Sequence, residues 1–144
     1  MKTNIYFAVI LVLLISILTG CKKNKKPIYK AEVLNGTWER KSSSKPMYDS
    51  MVVSVDTAMG TIAYSLPTGY FTVGTTKWKS ITPDDDSAFV YQELGSDNKY
   101  YNSKMTFIKN DGTGIEKLFL EINSNGEDNG SWQNWERSWS FLFN

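Results

Sequence analysis

Beyond residue 35, apolar and polar residues alternate with a period of two, in short runs separated by clusters of Gly, Pro, Asn, Asp and Ser. That period marks strands buried on one side. Eight runs qualify: Gly36–Lys41, Ser50–Val55, Thr61–Leu66, Tyr70–Ile81 with a bend at Gly74, Ser87–Leu94, Lys99–Lys109, Ile115–Ile122 and Ser131–Phe143. The breaks between them are rich in turn formers, and connections this short join antiparallel neighbours. Parity assigns the inward faces. Met51, Val53 and Val55 share one side, as do Ile62, Tyr64 and Leu66, then Phe89 and Tyr91, then Tyr101, Met105 and Phe107. Leu118, Leu120 and Ile122 follow, and the last run aligns Trp135, Arg137, Trp139, Phe141 and Phe143. Apolar side chains of this size contribute ~1.5–3 kcal/mol each when fully buried, so together they suffice for one core. A helical period is missing after the leader, apart from a turn around Lys30–Leu34. The expected class is all-β, with eight antiparallel strands that either close into a barrel or split into a sandwich.

The N-terminal pattern is different. Lys2 precedes a run, Ile5 to Ile17, that is apolar except for Ser16, and Leu18-Thr19-Gly20-Cys21 follows. The run is shorter than the ~20 residues a membrane-spanning helix needs, so it reads as a removed signal peptide. The tetrapeptide resembles the lipobox of bacterial lipoproteins. That resemblance implies cleavage before Cys21, a diacylglyceryl group on its thiol, and acylation of the new amino end. A thiolate is the best side-chain nucleophile for accepting an alkyl group. Two or three acyl chains hold a protein stably on a membrane, at ~0.8 kcal/mol per buried methylene. The partner implied is therefore the membrane, through Cys21. Four lysines follow within Lys22–Lys26, each gaining ~1 kcal/mol near anionic headgroups. The expected organisation is a signal peptide over 1–20, a lipidated tether over 21–34 and a barrel domain over 35–144. Bacteroidota lipoproteins sent to the cell surface carry acidic residues after the cysteine, where this chain has lysines. The expected location is the periplasmic face of the outer membrane.

Composition narrows the function. The chain has 144 residues, a length suited to one domain with a core of its own. Sixteen Lys and Arg against fifteen Asp and Glu give a formal charge of +1, a balance that does not point to nucleic acid. There is no histidine, the commonest general base and metal ligand. Cys21 is the single cysteine, so no disulfide forms within the chain.

Gly36-Thr37-Trp38, at the first strand, resembles the Gly-x-Trp motif of lipocalins. In that family the tryptophan plugs the closed end of the barrel and a basic residue stacks on it. The resemblance implies that the eight antiparallel strands close into an up-and-down, lipocalin-like barrel, with Arg137, on the last strand, as the stacking residue. The chain is shorter than a full lipocalin and lacks its C-terminal helix; it looks more like the compact lipocalin-like lipoprotein domains of Bacteroidota. In an up-and-down barrel alternate loops share an end. Ser42–Asp49, Pro67–Gly69, Gly95–Asn98 and Asn123–Gly130 would ring an open end, opposite the end where the tether enters. A cavity there would be lined by aromatic residues of the middle strands, and the ligand-binding candidates are Trp78, Phe89, Tyr91, Tyr101 and Met105.

Other motifs weigh less. Ser42-Ser43-Ser44 has no histidine to activate it. Asp84-Asp85-Asp86, and Asn123, Asn125 and Asp128, offer oxygen ligands for calcium, but turn chemistry explains both and no metal is expected. Glu39, Glu116 and Glu121 could supply a carboxylate pair only if two face each other across a cleft. Trp-Glu-Arg occurs at 38–40 and 135–137, too short a match for a repeat. Asp56-Thr57-Ala58 and Asp86-Ser87-Ala88 resemble the O-glycosylation motif of Bacteroidota periplasmic proteins, which marks Thr57 and Ser87 as acceptors. The expected function is non-enzymatic and needs no cofactor: a membrane-anchored binder of a small apolar or amphipathic ligand. The alternative is an envelope protein-interaction module, an assembly subunit or an inhibitor, with a solid core.

Overall fold

A computed structural model describes residues 29–45, 50–66, 71–109, 112–122 and 129–138. Cys21, the signal peptide, the lysine tether up to residue 28, and Trp139, Phe141 and Phe143 lie outside the described residues. A single 3-10 turn, Ala31–Leu34, leads into eight strands: β1 (Gly36–Ser43), β2 (Ser50–Asp56), β3 (Met59–Leu66), β4 (Thr76–Pro83), β5 (Ala88–Leu94), β6 (Tyr100–Ile108), β7 (Lys117–Ile122) and β8 (Trp132–Ser138). Each pairs antiparallel with the next, and β8 returns to β1, so the sheet closes as an up-and-down barrel. Closure pairs Trp38 with Arg137 and Arg40 with Trp135. It leaves the barrel without a free edge to template aggregation.

The core follows the alternation. Trp38, Met51, Val53, Val55, Phe89, Tyr91, Met105, Phe107, Leu118, Leu120 and Trp135 are all buried in one cluster. The register departs from strict parity at three bulges among β2 to β5, besides one on β1 between Arg40 and Ser42, where Lys41 is the extra residue opposite β8. Between Val52 and Val53 the β2–β3 ladder slips by one residue, with Ala63 the extra one. A one-residue slip turns every later side chain to the other face. Tyr64 and Leu66, expected inside with Ile62, are therefore 41% and 43% exposed, and Ser65 takes the inward place. The second slip lies between Gly60 and Thr61 on β3, where the run Trp78 to Thr76 on β4 carries Lys77 as the extra residue. Lys77 and Trp78 are both buried. The third, between Lys79 and Thr82 on β4, places Ser80 at φ +56°.

The run expected over Tyr70–Ile81 is shorter as a strand. Phe71 to Thr75 form a turn closed by the Thr75 N–H to the Thr72 carbonyl at 3.1 Å, with Gly74 at φ +88°. This is the bend the sequence marks at Gly74, but it precedes the strand instead of interrupting it. The β2–β3 turn, Thr57-Ala58, has both central residues at positive φ, +48° and +63°. That geometry matches the twist of a two-residue hairpin, although Asn-Gly fills it with less strain than Thr-Ala.

Candidate functional site

The two ends of the barrel differ. At the end where the chain enters, the 3-10 turn lies across the opening. Leu34 is fully buried there, and its carbonyl accepts the Trp38 indole N–H at 2.7 Å. Phe107 packs edge-on against both Trp38 and Tyr29, with ring centroids 6.3 and 5.1 Å apart. The Arg137 guanidinium sits 4.4 Å from the centroid of the Trp38 ring. Its Nη1 donates to the Asn35 carbonyl at 2.5 Å, its Nη2 to the Val33 carbonyl at 2.6 Å, and its Nε to the Glu116 carboxylate. Gly36 stands at φ +127°, and a Cβ there would lie 2.6 Å from Arg137 Nη1. One arginine thus ties the incoming chain, the first strand, the last strand and the segment before β7 into a closed end.

The connections β1–β2, β3–β4, β5–β6 and β7–β8 lie at the opposite end, by the strand order. Residues 46–49, 67–70 and 123–128 of those loops, with Asn123, Asn125 and Asp128, lie outside the described residues. Of the ligand-binding candidates, Trp78, Phe89, Tyr91 and Met105 are buried in the central cluster. Trp78 meets Trp135 edge-on at 4.9 Å and Tyr91 at 6.2 Å. Together with Trp38 these rings fill the middle of the barrel. Tyr101 is half-buried near the β5–β6 turn, where its hydroxyl donates to Asp97 at 2.5 Å. That bond holds the Asp97 carboxyl below the usual carboxylate range.

Between the tryptophans and the open end lies a polar interior, of which parity discloses three members. Arg40 follows Trp38, Glu93 follows Phe89 and Tyr91, and Gln133 precedes Trp135, each at an inward position. Lys77 reaches the same layer through its bulge. Lys77 and Glu93 form an ion pair at 3.0 Å with both side chains buried, and Lys77 also donates to the Leu94 carbonyl at 2.5 Å. The Tyr91 hydroxyl donates to Glu93 Oε2 at 2.5 Å, and Gln133 Nε2 donates to Glu93 Oε1 at 2.9 Å. Gln133 Oε1 in turn accepts the Trp135 indole N–H at 3.1 Å. Burial, and then the neighbouring Glu93 charge, push the Tyr91 phenol well above its ordinary pKa. Buried charge of this kind persists where the remaining lone pairs and protons are satisfied, and here five groups supply one another.

The remaining candidates are scattered. Thr57 is exposed in the β2–β3 turn with its hydroxyl donating to Asp56 at 3.0 Å, and Ser87 is half-buried in the β4–β5 turn. Both turns lie at the closed end. Asp84 pairs with Lys104 at 2.9 Å, a bond that raises the Lys104 pKa. Glu39 bonds Lys41 at 2.7 Å, and Glu116 bonds Arg137. Among the described residues no three carboxylate, thiol or imidazole groups converge as metal ligands. A groove of about 600 Å³ lies on the outer wall, where Ser80, Val90, Gln92, Asn102 and Lys104 meet. The architecture is compatible with a binding role. No protein-family model, no curated protein and no solved structure matches the chain.

Proposed function

We propose that this chain is a lipid-anchored protein of the bacterial envelope whose lipocalin-like barrel binds through its outer surface and has no catalytic role. The packed centre carries this reading. Trp38, Trp78 and Trp135 are each fully buried, and the Lys77–Glu93 pair sits in the layer nearer the open end. A small apolar ligand at the candidate residues would have to displace those rings. The anchor is acylated Cys21, with the four lysines of the tether against the headgroups and the periplasmic face of the outer membrane as the location. The 3-10 turn and Arg137 then hold the closed end toward the bilayer, which turns the opposite loops away from it. A small amphipathic ligand at the open end is the second reading, favoured by the buried charges beneath that end, which suit a polar head and not a hydrocarbon chain.

Native mass spectrometry of the mature protein, purified from its own host and released from detergent, tests the choice. The outer-surface reading expects the mass of the acylated polypeptide alone. A retained small amphipathic molecule would overturn it in favour of the second reading.

A further inference from the structure

We propose that the outer wall across β5, β6, β7 and β8 is a binding site for a neutral oligosaccharide. The inference rests on the outer-surface reading above and names the chemistry of its ligand. It begins at the bulge in β4. With the β4–β5 ladder slipped between Lys79 and Thr82, the Ile81 N–H turns to the Ala58 carbonyl, at 3.1 Å. The groove of about 600 Å³ lies beside this bulge. Two side-chain amides flank it: Gln92 and Asn102 are cross-strand partners, and Gln92 Nε2 donates to Asn102 Oδ1 at 3.3 Å. An amide making one such bond still offers further donors and acceptors. Paired amides beside the Ser80 hydroxyl offer alternating donors and acceptors, the complement of adjacent hydroxyl groups on a sugar ring.

The register carries the site around the wall. Val90 lies opposite Lys104, Lys104 opposite Glu121, and Glu121 opposite Trp132. One row away Phe119 faces Asn134, diagonal to Trp132. Trp132 and Phe119 are 37% and 38% exposed on this wall, so each offers ring surface to the C–H face of a sugar. Trp132 is held in place by Ser44, whose N–H donates to the Trp132 carbonyl at 3.0 Å while its hydroxyl accepts the Trp132 N–H at 3.0 Å. From Val90 to Trp132 is three inter-strand spacings, about 14 Å, the span of a short oligosaccharide. Charge sets the ligand class. Lys104 is paired with Asp84 at 2.9 Å and faces Glu121, and Lys79, opposite Gln92, lies over the Tyr100 ring at 3.5 Å. Two cations and two carboxylates balance, which disfavours a polyanion and suits an uncharged, hydroxyl-rich chain.

The test is isothermal titration of the mature protein, in a detergent without a sugar headgroup, with maltotetraose, cellotetraose, mannotetraose and the tetramer of N-acetylglucosamine. At least one should bind with a Kd of about 1 mM or tighter. Gln92→Ala with Asn102→Ala, and separately Trp132→Ala, should each weaken it roughly tenfold or more, a loss of ~1.4 kcal/mol. Both sets of positions face solvent, and unchanged thermal unfolding would show the variants folded. Silence with all four probes, or equal affinity in the variants, overturns the proposal. Binding of a heparin tetrasaccharide in preference to the neutral probes also overturns it. A bare polypeptide mass with silent titrations defeats the saccharide alone, a retained saccharide supports it, and a retained amphipathic molecule that is not a saccharide defeats the outer-surface reading on which it stands.

Discussion

Replacing Arg137 with alanine removes the clasp at the closed end. The wild-type guanidinium makes two charge-assisted bonds, to Val33 and Asn35 carbonyls at 2.6 and 2.5 Å, bonds Glu116, and stacks 4.4 Å from the Trp38 centroid. Hydrogen bonds from a charged donor contribute ~1.5–3 kcal/mol each, and cation–π stacking adds ~0.5–2 kcal/mol. Water reaches the vacated carbonyls, and the contributions overlap, so the expected loss is ~3–5 kcal/mol. At about 4 °C per kcal/mol for a domain of this size, Tm falls by roughly 12–20 °C. Urea unfolding followed by tryptophan fluorescence gives the free energy directly, with near-ultraviolet circular dichroism reporting the Trp38 environment. Arg137→Lys keeps the charge but not the planar fork, and recovers less than half of the loss. Glu116→Gln costs far less, because the carboxylate is a quarter exposed. An Arg137→Ala loss below ~1 kcal/mol, or full recovery by lysine, would refute the assignment of this side chain as the clasp between tether and barrel.

Three further outcomes follow from the interior. Glu93→Gln leaves the Lys77 ammonium buried without its carboxylate and costs ~3–5 kcal/mol in urea unfolding, whereas Lys77→Met with Glu93→Leu together costs much less. Gly60→Ala drives a methyl to 2.8 Å from both Trp78 Cε3 and Val53 Cγ1, and the overpacking costs ~1–3 kcal/mol; a neutral result would mean that the space beside Trp78 is open. Tyr91 sets an alkaline limit. Its folded pKa lies above the unfolded value, so the native state keeps a proton that the unfolded chain releases. Stability is level below about pH 10 and declines as pH rises beyond it, and Tyr91→Phe flattens that decline in a urea series; an unchanged slope would contradict the buried, protonated phenol.

Period-two alternation disclosed the antiparallel strands, because each has one wet face and one dry face, but it fits a sandwich equally, and the barrel was read from Gly36-Thr37-Trp38. The strand count and most of the inward residues follow from the alternation. The errors fall where the ladder slips. Tyr64 and Leu66 share parity with Ile62, but the extra residue Ala63 turns them out, and Lys77 enters the core beside Trp78 by the same device. A bulge adds one residue to one strand, and nothing in the composition of Ile62–Leu66 announces it. The polar interior was legible in part. Arg40, Glu93 and Gln133 stand at inward positions, but parity cannot show that Glu93 meets Lys77 from a neighbouring strand. The outer-wall groove was the least legible, since its residues are unremarkable in sequence and are joined only by strand register.

In the function proposed above, a lipid at residue 21 would hold the closed end of this barrel against a membrane. The intact mass of the mature protein, extracted in detergent from its own host, tests it most directly. The predicted result is a chain beginning at Cys21 and carrying a diacylglyceryl group on its sulfur, with the Cys21→Ala form lost from the membrane fraction. A mature chain that begins elsewhere, or one without added lipid mass, would contradict it.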